Sequence, residues 1–261
     1  MKDVIRRAVY EKYIAPTKAE RPDYIGVEIE MPVVNLNGEA VDEQIAIQTA
    51  EAFSAHFGFE PEHRDAEGNF ISAKHRETGD ILSFDCSYSN LELSFGKATG
   101  LFEIKERFEK YIRFLNTEFA KHNYILTGMG VNPAANVNHN QPIKNERYRM
   151  LYHYLHSYPQ HTGEVAIRFH ERPDFGTFTS ASQVQLDVRY DELIDTVNVF
   201  GMLEPYKALL FANSYQTIEF APQQSDLDHL RTFKFEDLTF RGTIEYRSAC
   251  CQPLSEALTV A

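Results

Sequence analysis

The stretch Ile25-Gly26-Val27-Glu28-Ile29-Glu30-Met31-Pro32 constrains the chain more than any other. Apolar residues at 25, 27, 29 and 31 alternate with Gly26, Glu28 and Glu30, the period of a half-buried β-strand. Successive side chains on a strand point to opposite faces, so Glu28 and Glu30 share one face while Val27, Ile29 and Met31 enter the core. Pro32 and the turn-rich residues 35–38 should end the run. Two carboxylates side by side on a rigid apolar strand repel each other unless water or a cation intervenes. Two readings are therefore open: the solvated outer face of an edge strand, or a platform of oxygen ligands for a hard metal ion such as Mg²⁺.

Further acids repeat the pattern. In residues 83–95, a turn centred on Tyr88-Ser89 would set Asp85 and Glu92 opposite each other across a hairpin, with Leu91, Leu93 and Phe95 facing the core. Directly opposed Cβ atoms lie about 5 Å apart, close enough for two carboxylates to share an ion. In residues 242–247, Thr243, Glu245 and Arg247 fall on one strand face and Ile244 and Tyr246 on the other. Glu245 and Arg247 read either as a surface ion pair or as a metal ligand beside a cation that neutralises phosphoryl charge.

The remaining elements follow from periodicity and turn chemistry. Helices are expected over residues 3–13, 42–57 (Ile45, Ala46, Thr49, Phe53 and Phe57 inward), 101–122, 146–155 and 190–213, the last broken at Glu204-Pro205. The 101–122 helix should turn Phe102, Phe108, Ile112, Leu115 and Phe119 to one side. Residues 59–95 read as a meander of about four antiparallel strands, and 124–131, 162–169, 183–188 and 239–248 as further strands. Residues 132–145, rich in Asn, Pro and Ala, form an ordered surface loop, residues 171–178 another, and 254–260 open a helix. Gly128-Met129-Gly130 is an isolated G-x-G without a helix signal after it, so it gives no nucleotide site. With no Trp, the many Phe and Tyr residues, Tyr111 and Phe114 among them, must supply the core.

Composition narrows the class of function. The chain has 261 residues and a formal net charge of −12, which disfavours a nucleic-acid surface. No stretch is apolar for the roughly 18 residues that a membrane span needs, and the start lacks a signal-peptide core. Cys86, Cys250 and Cys251 show neither a paired framework nor metal spacing, and so read as reduced thiols in a cytoplasm. There is no Walker-type phosphate loop and no G-x-S-x-G elbow. His153 and His156, three apart on a helix, have no third ligand nearby in the sequence. Without repeats or linkers, residues 1–261 read as a single α+β domain.

Taken together, Gly26-x-Glu28-x-Glu30, Asp85 with Glu92, Arg147-Tyr148-x-Met150 followed by Tyr154, Thr179-x-x-x-Gln183-x-x-Leu186-Asp187, Leu210-Phe211-Ala212-Asn213-Ser214 and Glu245-x-Arg247-Ser248 occur in an order that resembles the glutamate–cysteine ligase family (γ-glutamylcysteine synthetase), in particular its plant and proteobacterial branch. That family belongs to the carboxylate–amine ligases related in fold to glutamine synthetase. The resemblance implies a curved antiparallel sheet, helices on its convex face, and a concave face holding ATP, Mg²⁺ (or Mn²⁺) and glutamate. It implies activation of the γ-carboxylate of glutamate as an acyl phosphate and displacement of phosphate by the amine of cysteine, the first step of glutathione synthesis. By position, Glu28, Asp85 and Glu92 would hold one group of Mg²⁺ sites, and Glu30, Gln183 and Glu245 the ion nearer the ATP phosphates. Arg247 would stabilise the γ-phosphoryl charge with Glu92 as the second catalytic group, while Arg147, Tyr148 and Met150 would belong to the substrate region. Members of the family are commonly much longer, so the resemblance also implies a catalytic domain without its usual C-terminal part. A related ligase with another amine acceptor, or an inactive binding domain, are the competing expectations. The partners expected are small molecules, with no nucleic acid or membrane, and oligomeric state is not readable.

Overall fold

The computed structural model describes residues 2–20, 22–157, 174–211, 213, 236–239, 241–259 and 261. The strand expected over 162–169, the start of the 171–178 loop, and Ala212 and Ser214 lie outside the described residues. The fold mixes helices with one antiparallel sheet, an α+β arrangement. Its elements are α1 (Lys2–Val9), β1 (Ile25–Asn35), α2 (Glu43–Phe57), β2 (Phe59–Arg64), β3 (Phe70–His75), β4 (Ile81–Phe84), β5 (Asn90–Ser94), α3 (Leu101–Ala120), β6 (Tyr124–Leu126), α4 (Glu146–Ser157), β7 (Ala181–Asp187), α5 (Leu193–Leu210), β8 (Glu236–Leu238) and β9 (Thr243–Cys250).

The described strands run in the order β2-β3-β4-β5-β1-β7-β9-β8, with β6 joined to β1. The strand that carries Glu28 and Glu30 is therefore central, flanked by β5 and β7, which removes the edge-strand reading of its acids. It also runs past Pro32 to Asn35. Pro32 is tolerated because β1 changes partner there: the Val33 N–H donates to Ser89, the Pro32 carbonyl accepts from Thr127, and residues 33–35 pair with β6. A missing N–H costs nothing where no neighbouring carbonyl waits for it.

Val27, Ile29 and Met31 are almost fully buried, and α2 and α3 lie over this side of the sheet. Asp42 caps α2 by accepting from the Gln44 N–H, and Gly58 closes it in the left-handed conformation (φ 74°). The buried stripe of α3 is Ile104, Phe108, Tyr111, Leu115 and Phe119, spaced three to four apart, with Ile112 packed at its border. Phe102 falls off that stripe and is 82% exposed, contrary to the sequence expectation. The four-strand meander of residues 59–95 is present as β2 to β5.

Several boundaries differ from expectation. The strand expected over 124–131 is confined to β6, with Val131 making only an isolated bridge to Thr179. α5 continues through Glu204-Pro205 rather than breaking. The last strand begins at Thr243, so Arg241 lies in the turn before it, and β8 was not foreseen. Residues 254–256 form one turn of 3₁₀-helix in place of the α-helix expected there.

Gly128 shows why its G-x-G is structural. A Cβ at Gly128 would stand 2.0 Å from the Gln252 carbonyl oxygen and 2.7 Å from Pro253 Cα, both backbone atoms that cannot swing aside. Gly128→Ala is expected to destabilise the protein by about 1–3 kcal/mol or more through overpacking. Chemical denaturation of the purified variant checks this, and an unchanged unfolding midpoint would remove the packing role.

Candidate metal and substrate site

Strand pairing assembles the acids. Glu30 pairs with Glu92 across β1 and β5, Glu28 with Gln183 across β1 and β7, and Gln185 with Glu245 across β7 and β9. Residues directly opposed in a sheet share a face, so these six side chains stand on the face away from α2 and α3. All but Gln185 line a cavity of about 1060 Å³. Asp85, Arg147 and Tyr148 also line the cavity, and the Tyr148 hydroxyl donates to Asp85 Oδ1 (3.1 Å).

Asp85 and Glu92 meet differently from the sequence expectation. Glu92 opposes Ser83, and the Asp85 N–H donates to the Asn90 carbonyl, so the hairpin closes on a four-residue loop, 86–89. Cys86 takes a left-handed backbone (φ 59°), which widens the turn. Asp85 is brought to Glu92 diagonally instead of face to face. Glu30, Asp85 and Glu92 nevertheless each place a carboxylate oxygen within 4.8 Å of the other two.

Two glutamine amides interleave with these acids. Gln183 Nε2 donates to Glu30 Oε1 (2.9 Å), and the Ala181 N–H donates to Glu30 Oε2 (2.9 Å). Gln185 Nε2 donates to both Glu28 (2.5 Å) and Glu245 (2.9 Å). Gln183 is 94% buried, and among the described residues its carbonyl oxygen Oε1 has no hydrogen-bond partner. A buried acceptor of that kind is costly unless a donor or a cation reaches it.

The electrostatics reflect the crowding. Burial raises the Glu30 carboxyl to about 8, helped by the neighbouring charge of Asp85 and opposed by the Ala181 and Gln183 donors. Glu92, half-buried in the cavity wall, is pushed well above the usual carboxylate range by desolvation and then by Glu28, Asp85 and Glu30. Burial likewise raises the Cys86 thiol to about 12, which makes it a poor nucleophile at neutral pH.

The sign for stability follows. Unfolded glutamates ionise near 4.5, while Glu30 in the fold holds its proton to about 8. Below 4.5 both states are protonated, and above it the unfolded chain gains by ionising first. Without divalent cations the protein is expected to lose stability as pH rises from about 4.5 to about 8. Thermal unfolding in chelator across that window checks this, and a rising stability would contradict the clustered-acid picture.

The other expected residues divide. Arg147 is exposed at the cavity rim, with its guanidinium 5.7 Å from the Tyr148 ring centre. Met150 is 62% exposed and does not line the cavity. Arg247 lies on β9 where Val184 pairs with Tyr246 and Ser182 with Ala249, which puts residues 247 and 248 in a bulge opposite Gln183. The Arg247 and Tyr154 side chains lie outside the described residues. Sequence reasoning missed Gln185, whose signal was its shared parity with Gln183, and Ser94, which donates to Glu92. Arg241, in the turn before β9, also lines the cavity.

Comparison with known proteins adds little. No protein-family model and no curated protein sequence matches the chain. Among solved structures, a glutamate–cysteine ligase from Francisella tularensis in complex with AMP is similar over 74% of this chain and 33% of its own, at 12% identity and a TM-score of 0.38. A bifunctional glutathione synthetase from Pasteurella multocida is similar over 94% of this chain and 36% of its own, at 11% identity and a TM-score of 0.35. The chain thus spans about a third of the length of these solved structures. Among the described residues no helix is long and apolar enough to cross a membrane, and the three cysteines form no disulfide.

Proposed function

We propose that this chain is an ATP-dependent carboxylate–amine ligase, of the glutamate–cysteine ligase type that its sequence motifs resemble. One observation carries the reading: Glu28, Glu30, Asp85, Glu92 and Glu245, with a Gln183 carbonyl that has no hydrogen-bond partner among the described residues, line one cavity of about 1060 Å³. An all-oxygen donor set of this kind suits Mg²⁺ or Mn²⁺ far better than Zn²⁺. Glu28, Asp85 and Glu92 would hold one group of ions, and Glu30, Gln183 and Glu245 another. Bound there, Mg²⁺ would neutralise phosphate charge and align the phosphoryl group for transfer.

The reaction needs what this face offers. A γ-carboxylate oxygen of glutamate attacks the γ-phosphorus of ATP, the bond to the β-phosphate oxygen breaks, and ADP leaves. The amine nitrogen then attacks the acyl carbon, phosphate departs, and the amine gives up a proton. Arg247 is assigned to the transferring phosphoryl group, and Arg147 with Tyr148 to a substrate carboxylate. Cysteine is the amine the motifs favour. Met150, outside the cavity lining, is left out of the substrate contacts.

Magnesium-dependent ADP formation that requires glutamate, followed by an amine screen with product mass measurement, tests the reading. Product with cysteine supports the glutamate–cysteine type, and product with another amine alone moves the acceptor. No ADP with any amine returns the chain to a binding module. Because ions bind ionised carboxylates, added Mg²⁺ is expected to stabilise the fold increasingly from about pH 5 to about pH 8, reversing the metal-free trend.

A further inference from the structure

On three adjacent strands, Glu28 (β1), Gln185 (β7) and Glu245 (β9) form a row joined by one nitrogen. Gln185 is 7% exposed, and its Nε2 donates to a carboxylate on either side. An amide nitrogen has two N–H donors and a carboxylate has none, so this one neutral group can satisfy both acids at once. Across the β1–β7 pair, Gln185 stands directly opposite Gly26. A Cβ at Gly26 would lie 2.9 Å from Gln185 Oε1 and 3.5 Å from its Cβ. The space that glycine leaves is the space the amide occupies as it leans along β1 toward Glu28.

We propose that Gln185 is a positioning residue that holds Glu28 and Glu245 as one pair with their remaining oxygens directed at the cavity, and that residue 26 is glycine to admit it. The inference rests on the metal-platform reading above, which assigned neither residue this role. Each carboxylate has two oxygens, and the amide occupies one on each. Two acids held this way repel each other less, and their relative geometry is set before a cation arrives. Hydrogen bonds that orient a ligand from behind typically change metal affinity by about 10–100-fold.

The test is Mn²⁺ binding to the full chain, followed by electron paramagnetic resonance, so that no turnover is required. Gln185→Met keeps the length and volume of the side chain and removes both donors. It is expected to weaken the tightest Mn²⁺ site at least about tenfold. Gly26→Ala should do nearly the same, because the group its Cβ meets is the movable end of Gln185, which can retreat without unfolding the sheet. In a Gln185→Ala background, Gly26→Ala should cost little more, since the group it displaces is already gone.

No Mn²⁺ binding by the parent chain would remove the metal-platform reading and this inference with it. Parent binding with unchanged affinity in Gln185→Met would overturn the inference and leave that reading standing. Additive losses for Gly26→Ala in the two backgrounds would overturn the link between residues 26 and 185. Should Gln185→Met fail to fold, Gly26→Ala decides: unchanged affinity overturns the inference, and a tenfold loss in the folded variant supports it.

Discussion

Glu92→Gln is expected to leave the metal-free protein at least as stable as the parent while lowering turnover about a hundredfold or more, on the scale of losing oriented stabilisation of developing charge. Glu92 is half-buried, and its partial desolvation together with the charges of Glu28, Asp85 and Glu30 drives its carboxyl well above the usual range. A neutral amide of the same shape removes that repulsion and can still accept the hydrogen bond from the Ser94 hydroxyl. The stability gain should be absent below about pH 4.5, where the carboxyl is neutral in both states, and grow above it. An acid kept for packing would behave oppositely, losing stability and keeping activity. Paired measurements of denaturant unfolding and ADP release separate the two. Unchanged turnover at limiting Mg²⁺ would take Glu92 out of the metal set.

The second large effect lies on the opposite face. Phe53 is fully buried, with ring centres of Phe57, Phe59, Tyr111 and Phe114 between 4.8 and 6.0 Å away. These rings tie α2, β2 and α3 together, so truncation opens a cavity among packed aromatic side chains. Phe53→Ala should cost about 3–5 kcal/mol, a large part of the roughly 5–15 kcal/mol that holds a typical protein folded. Phe102→Ala, one helix away and 82% exposed, should change stability by less than about 0.5 kcal/mol. Denaturant midpoints of the two variants provide the check. Equal losses would mean that the buried stripe of α3 is misassigned.

The contrast between those two phenylalanines shows how far local pattern carries. Both are apolar residues in amphipathic helices, and both were expected inward. The strict spacing from Ile104 to Phe119 left Phe102 off the stripe and exposed among the described residues. The parity of Glu28 and Glu30 against Val27, Ile29 and Met31 was legible for the same reason that the stripe was. Side-chain direction on a strand or helix is a property of the local backbone, set within a few residues.

What stands beside what is a different matter. That Glu30 faces Glu92, and that β7 inserts between β1 and β9 so that one Gln185 amide reaches two acids, depends on pairings between residues far apart in the chain. The left-handed Cys86 shifted the Asp85–Glu92 register by two residues, and cysteine carries no strong signal for that conformation. Pro32 read as a strand end because its missing N–H is a local fact, yet whether a neighbour needs that N–H is decided by the strand alongside. Acidity, apolarity and side-chain direction are local properties of the chain. Which residues become neighbours is set by the fold, because register is chosen by turn geometry and by hydrogen bonds between strands that are distant in sequence.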